Sequence, residues 1–159
     1  MRRVPLRCLL EDESPEAQAP WDVPLVFPEG FRVLVVDDIS INARVLARLL
    51  VRLGVRFVDL AFSGKDALAM VERNPPDVAF VDIWMPGMDG VELRRRLVEK
   101  PQFASLPVFA VTADEKPGTR FDASGFTGIV KKPVTSQLVS EALRSCLVQA
   151  GPTCGSCGK

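Results

Sequence analysis

The stretch "VAFVDIWMPGMDG", Val78 to Gly90, opens as a run of strand-forming apolar residues, stops at Asp82, and turns at once through Met85-Pro86-Gly87. A short apolar run bounded by turn residues reads as a strand buried on both faces, the kind found in a parallel sheet. A carboxylate that ends such a strand sits at the rim of the sheet, where a ligand can reach it. Four more runs of the same kind lie outward from this one: "RVLVV" at Arg32, "RFVDLA" at Arg56, "PVFAVT" at Pro107 and "GIVK" at Gly128. Segments of helical period separate them. In "SINARVLARLLVRLG", from Ser40 to Gly54, Ile41, Val45, Leu49 and Leu53 share one face, Arg44, Arg48 and Arg52 another, and Gly54 closes the helix. The spacing predicts that the first set packs on the sheet. "GKDALAMVERN" is stopped by Pro75 and Pro76, "GVELRRRLVEK" ends before Pro101, and "VTSQLVSEALRSCLVQA" ends at Gly151 and Pro152. The segment due to supply another helix, "DEKPGTRFDASG", holds Pro117 and Gly118 and little apolar period, so that helix is expected to be short, distorted or mobile.

Alternating strands and helices with right-handed crossovers make a five-stranded, doubly wound α/β domain over about residues 31–150, with its ligand site at the carboxyl ends of the strands. Residues 1–30 carry Pro5, Pro15, Pro20, Pro24, Pro28 and the acidic patch "EDESPE", and read as a tail or linker. Residues 151–159 read as a flexible C-terminal tail. Its "CGSCGK" is half a zinc site at most, because the chain has no histidine and no second cysteine pair.

Composition bounds the function. A chain of 159 residues, 47% hydrophobic, buries one good core and hardly two. Lys plus Arg and Asp plus Glu both number 20, so no net field draws the chain to nucleic acid or an acidic membrane. No apolar run approaches the roughly 20 residues of a membrane span. Pro5 and Arg7 break "MRRVPLRCLL", unlike a signal peptide. The expectation is a soluble, cytoplasmic protein, and four scattered cysteines fit a reducing compartment.

The strand ends share a chemistry. Asp37 and Asp38 end the first strand, Asp82 the third and Thr112 the fourth, while the fifth runs into Lys131-Lys132-Pro133. Taken singly, a strand-end aspartate is most often a cap or turn former, and a lysine pair before proline a solvated turn. Together they place three carboxylates, a hydroxyl and an ammonium on one edge. Crowded carboxylates call for a cation, and an all-oxygen donor set suits Mg²⁺. A carboxylate can also attack phosphorus to form an aspartyl phosphate, with cation, ammonium and hydroxyl sharing the charge of the phosphoryl oxygens.

"VLVVDD", "VAFVDIWMPGMDG", "PVFAVTA" and "KKP", in that order and spacing, resemble the receiver domain of two-component response regulators, and "DDISINARVLARLLVRLG" resembles the receivers of hybrid sensor histidine kinases. The resemblance covers about residues 31–147 and implies a flavodoxin-like fold with strand order 2-1-3-4-5. It further implies that Asp82 accepts a phosphoryl group from a phosphohistidine. Asp38 would bind Mg²⁺ directly, Asp37 largely through water, and Asp82 and the backbone carbonyl of Trp84 would complete the set. Thr112 would bond the phosphoryl oxygen, Lys132 would pair with it, and Pro133 would follow a cis peptide. The donor, a histidine kinase or phosphotransfer protein, lies on another polypeptide or on a portion outside this sequence, since this chain has no histidine. No DNA-binding output domain is expected after Leu147. The N-terminal "RVPLRCLL" resembles the last strand of a kinase ATP-binding domain, which would make the chain the C-terminal piece of a hybrid kinase.

Some positions depart from the family pattern. Ile129 stands where many receivers carry a Tyr or Phe that swings inward on activation, and the interval from Thr112 to Lys132 is shorter than usual. Trp84 and Asp114 occupy positions linked in this family to the access of attacking water, although Trp84 can simply cover the site and Asp114 can simply cap the segment after it. Two other readings stay open: a pseudo-receiver acting only as a protein-binding domain, and a Mg²⁺-dependent phosphatase with an aspartate nucleophile. The second lacks the further aspartate that such phosphatases carry two residues on, where this chain has Trp84.

Overall fold

The computed structural model describes residues 25–113 and 125–149. The expectations for a helix across residues 114–125, for Asp114, for the N-terminal kinase-like strand and for the CxxC tail therefore fall wholly or largely outside the described residues. Five strands, β1 (Arg32–Val36), β2 (Phe57–Ala61), β3 (Val78–Asp82), β4 (Val108–Thr112) and β5 (Gly128–Lys131), form one parallel sheet in the order β2-β1-β3-β4-β5. Among the described residues four helices connect or follow them: α1 (Ser40–Arg52), α2 (Gly64–Arg73), α3 (Gly90–Val98) and α4 (Ser136–Gln149). This is the doubly wound fold with the strand order that the sequence implied.

Alternation along the strands splits the core into two layers, because successive side chains leave a strand on opposite faces. Val33 and Val35 of β1, Phe80 of β3 and Val111 of β4 pack with Ala43, Leu46 and Leu50 of α1 and with Val139 and Leu143 of α4. Leu34, Val36, Ala79 and Val81 pack on the other side with Ala67 and Val71 of α2 and Leu93 and Leu97 of α3. With helices on both faces, every residue of β3 and of β4 is buried, which is why both runs are apolar without alternation.

Two readings are corrected. The face that α1 buries is Ala43, Leu46 and Leu50, with Leu49 and Leu53 beside them, whereas Ile41 is 70% exposed and Val45 46% exposed. Apolar residues lie nearly all round this helix, and a four-residue spacing through Ile41 and Val45 competes with the true stripe, which begins at a small alanine. Residues just before 31 are also packed, not free tail: Leu25 and Phe27 lie against the core, and Phe27 stacks on Phe31 at 5.0 Å between ring centroids. The prolines on either side hide this, since they exclude regular structure and not burial. No helix among the described residues is long and apolar enough to cross a membrane.

Candidate functional site

Strand pairing carries the acidic residues to one edge. Val36 pairs with Val81, Asp82 with Val111 and Thr112 with Lys131, so the ends of β1, β3, β4 and β5 are level. Asp37 continues β1 by donating its N–H to the Ala61 carbonyl at 3.1 Å. Its Oδ1 then accepts the Ile39 N–H at 2.9 Å, a side-chain turn that leads the chain into α1. Asp82 makes the same kind of turn with the Trp84 N–H, at 3.3 Å to Oδ1.

Lys132 reaches back between these two carboxylates. Its Nζ donates to Asp37 Oδ2 at 3.1 Å and to Asp82 Oδ2 at 3.2 Å. The Lys132 N–H donates to the Thr112 carbonyl at 2.9 Å, tying the β5 exit to β4, and the bond to Pro133 is cis. Lys131 is exposed, so Lys132 is the member of the pair that enters the site. Thr112 is buried at the end of β4, one residue beyond the partner of Asp82.

Asp37 and Asp82 are each only 4% exposed. Burial pushes the Asp82 carboxyl above its usual range, the charge of Asp37 adds to this, and Lys132 draws it partly back. Burial alone would depress Lys132, but its hydrogen bond to Asp37 and the charges of Asp37 and Asp82 outweigh that and raise it, so the ammonium stays charged at neutral pH. One ammonium does not neutralise three carboxylates.

Asp37, Asp38 and Asp82 each offer an oxygen within 4.8 Å of the others. Asp38 Oδ1 is buried with no hydrogen-bond partner among the described residues, whereas each oxygen of Asp37 and of Asp82 already accepts a hydrogen bond. A buried carboxylate oxygen left unsatisfied is costly unless something else fills its shell. The donor set therefore fits a hard divalent ion such as Mg²⁺, with Asp38 best placed to ligate it. The structure thus brings Asp37, Asp38, Asp82 and Lys132 together, with Thr112 at the adjoining strand end and Trp84 half exposed at the rim. Sequence reasoning missed the Ile39 and Trp84 N–H groups that orient the two carboxylates. The available signal was the aspartate two residues earlier in each case, the spacing of an Asx turn.

Comparison with known proteins matches the response regulator receiver domain family over residues 33–144. The chain is 37% identical over 116 residues to the response regulator PleD of Caulobacter vibrioides, which covers 72% of this chain and 25% of PleD. It is 36% identical over 122 residues to the hybrid signal transduction histidine kinase L of Dictyostelium discoideum, covering 71% of this chain and 7% of the kinase. The chain thus spans only a minor part of the length of these relatives. Among solved structures, the Vibrio cholerae chemotaxis protein CheY4 superposes with a TM-score of 0.66 at 28% identity, covering 73% of this chain and 98% of that one. With the family matched across both core layers and all four site-bearing strands, this chain belongs to the response regulator receiver domains of two-component signalling.

Proposed function

We propose that the chain is a phosphoryl-accepting switch in which Asp82 takes the phosphoryl group from a phosphohistidine of a histidine kinase or phosphotransfer protein. The observation that carries this reading is the buried Asp82 carboxylate, oriented by the Trp84 N–H and paired with Lys132, beside an Asp38 oxygen that has no partner among the described residues. An Asp82 oxygen forms the new P–O bond as the P–N bond breaks. The electron pair leaves on the donor imidazole, which takes up a proton. Lys132 holds two carboxylates together before transfer, and with three N–H donors it can turn one to a phosphoryl oxygen as the charge moves there. The Thr112 hydroxyl, buried at the next strand end, donates to another. Asp38, Asp82 and the Trp84 carbonyl would hold Mg²⁺, with Asp37 acting through water. When bound, the ion supplies charge compensation for the phosphoryl oxygens.

Incubation with acetyl phosphate and Mg²⁺, followed by intact mass spectrometry, tests the reading. A phosphoryl adduct on the parent, absent from Asp82→Asn, is expected, because an amide keeps the shape but is not a nucleophile. Rapid release of phosphate without a lasting adduct would indicate a phosphatase. The absence of both would leave a protein-binding pseudo-receiver.

A further inference from the structure

Gly64, the first residue of α2, is buried although it lies outside the acidic cluster. A methyl group added there would lie 2.6 Å from Met88 Sδ, 2.8 Å from Cγ and 2.9 Å from Cβ. The thioether end of Met88 can swing aside, but its Cβ moves only with its backbone. Met88 belongs to the turn between Asp82 and α3, the turn that carries Trp84 and the N–H that holds the Asp82 carboxylate. The far end of that turn is closed as tightly. The Gly90 N–H donates to the Ile83 carbonyl at 3.0 Å, and a methyl on Gly90 would lie 2.5 Å from the Asp82 carbonyl oxygen. With the turn closed at Gly90, a push at Met88 is directed back along the turn, through Gly87, toward Trp84 and Asp82.

We propose that Gly64 is a positioning residue for the metal site: the space it leaves lets Met88 seat the turn that presents the Trp84 carbonyl and orients Asp82. This rests on the reading of Asp38, Asp82 and Trp84 as the Mg²⁺ site. Gly64 touches none of these groups and acts through Met88. Intrinsic propensity runs the other way, since alanine is the better residue in a helix. Gly64→Ala should therefore leave α2 formed while weakening the site.

The test measures Mg²⁺ affinity by quenching of Trp84 fluorescence in a Trp21→Phe background, which leaves Trp84 as the single indole. Gly64→Ala should raise the Mg²⁺ dissociation constant about tenfold, the loss typical of disturbed outer-shell support, with the far-UV circular dichroism of the metal-free protein unchanged. Gly64→Ala combined with Met88→Gly, which removes all three overlapping atoms, should recover most of that affinity. A parent that binds Mg²⁺ and a Gly64→Ala variant that binds it equally well would overturn this proposal alone. So would a double variant as weak as Gly64→Ala, because the loss would then not run through Met88. A parent that binds no Mg²⁺ would overturn the metal reading and this proposal with it.

Discussion

At the scale of single residues, the cluster holds opposing energies that two substitutions separate. Burial, and after it the charge of Asp37, hold the folded-state pKa of Asp82 above its usual range. A raised carboxyl binds its proton more tightly folded than unfolded, so stability falls as pH rises through the folded pKa. Asp82→Asn should therefore melt a few degrees higher than the parent at pH 7 in EDTA, and the gain should shrink as the pH is lowered into the usual carboxylate range. Lys132 has the opposite sign. Its pKa is raised by Asp37 and Asp82, so its contribution is whole at neutral pH and is lost only as pH climbs through its folded value. Lys132→Met should cost about 1–3 kcal/mol in urea unfolding at pH 7, since it leaves two buried carboxylates without their shared donor; a variant as stable as the parent would mean that the bridges contribute nothing. The types and order of these side chains were legible in the sequence because each ends a strand. The backbone donors of Ile39 and Trp84 were not, since a turn amide has no residue signature of its own.

At the scale of elements, strands were read within a residue of their ends, because burial on both faces leaves an uninterrupted apolar run between turn residues. The helices were placed within a few residues by the glycines and prolines that stop them, and the structure adds the N-caps: the Ser63 hydroxyl accepts the Asp66 N–H at 3.1 Å, and the Asp89 carboxylate accepts the Glu92 N–H at 2.8 Å. Rotation about the helix axis was the weaker reading. In α1 the apolar residues Ile41, Val45, Leu46, Leu49, Leu50, Val51 and Leu53 surround the axis, and only packing selects Ala43, Leu46 and Leu50. This is measurable. Leu50→Ala should cost about 2–5 kcal/mol, as for a fully buried leucine, while Ile41→Ser and Val45→Ala should stay within about 0.5 kcal/mol of the parent. Denaturant curves that reversed this ranking would restore the face inferred from four-residue spacing.

At the scale of the whole molecule, the site exists only when the sheet does, since its members run from Asp37 to Lys132 and meet through pairing of four strands. An unfolded chain disperses these carboxylates and loses the affinity that their convergence creates. Mg²⁺ should therefore bind the native state alone and stabilise it by mass action, by about 2.7 kcal/mol at 100 times the dissociation constant, which raises the melting temperature. For a domain of this size that amounts to roughly 5–10 °C. Asp38→Ala isolates the cause: it removes one of three mutually repelling carboxylates, so the metal-free variant should melt at or above the parent temperature. The same change removes the unpartnered oxygen best placed to take the ion, so added Mg²⁺ should no longer shift its melt. Differential scanning calorimetry of the two proteins over a Mg²⁺ series decides the matter. Parallel upward shifts in both would place the ion elsewhere on the molecule, and a metal-free Asp38→Ala that melts well below the parent would mean that Asp38 serves the fold before it serves the metal.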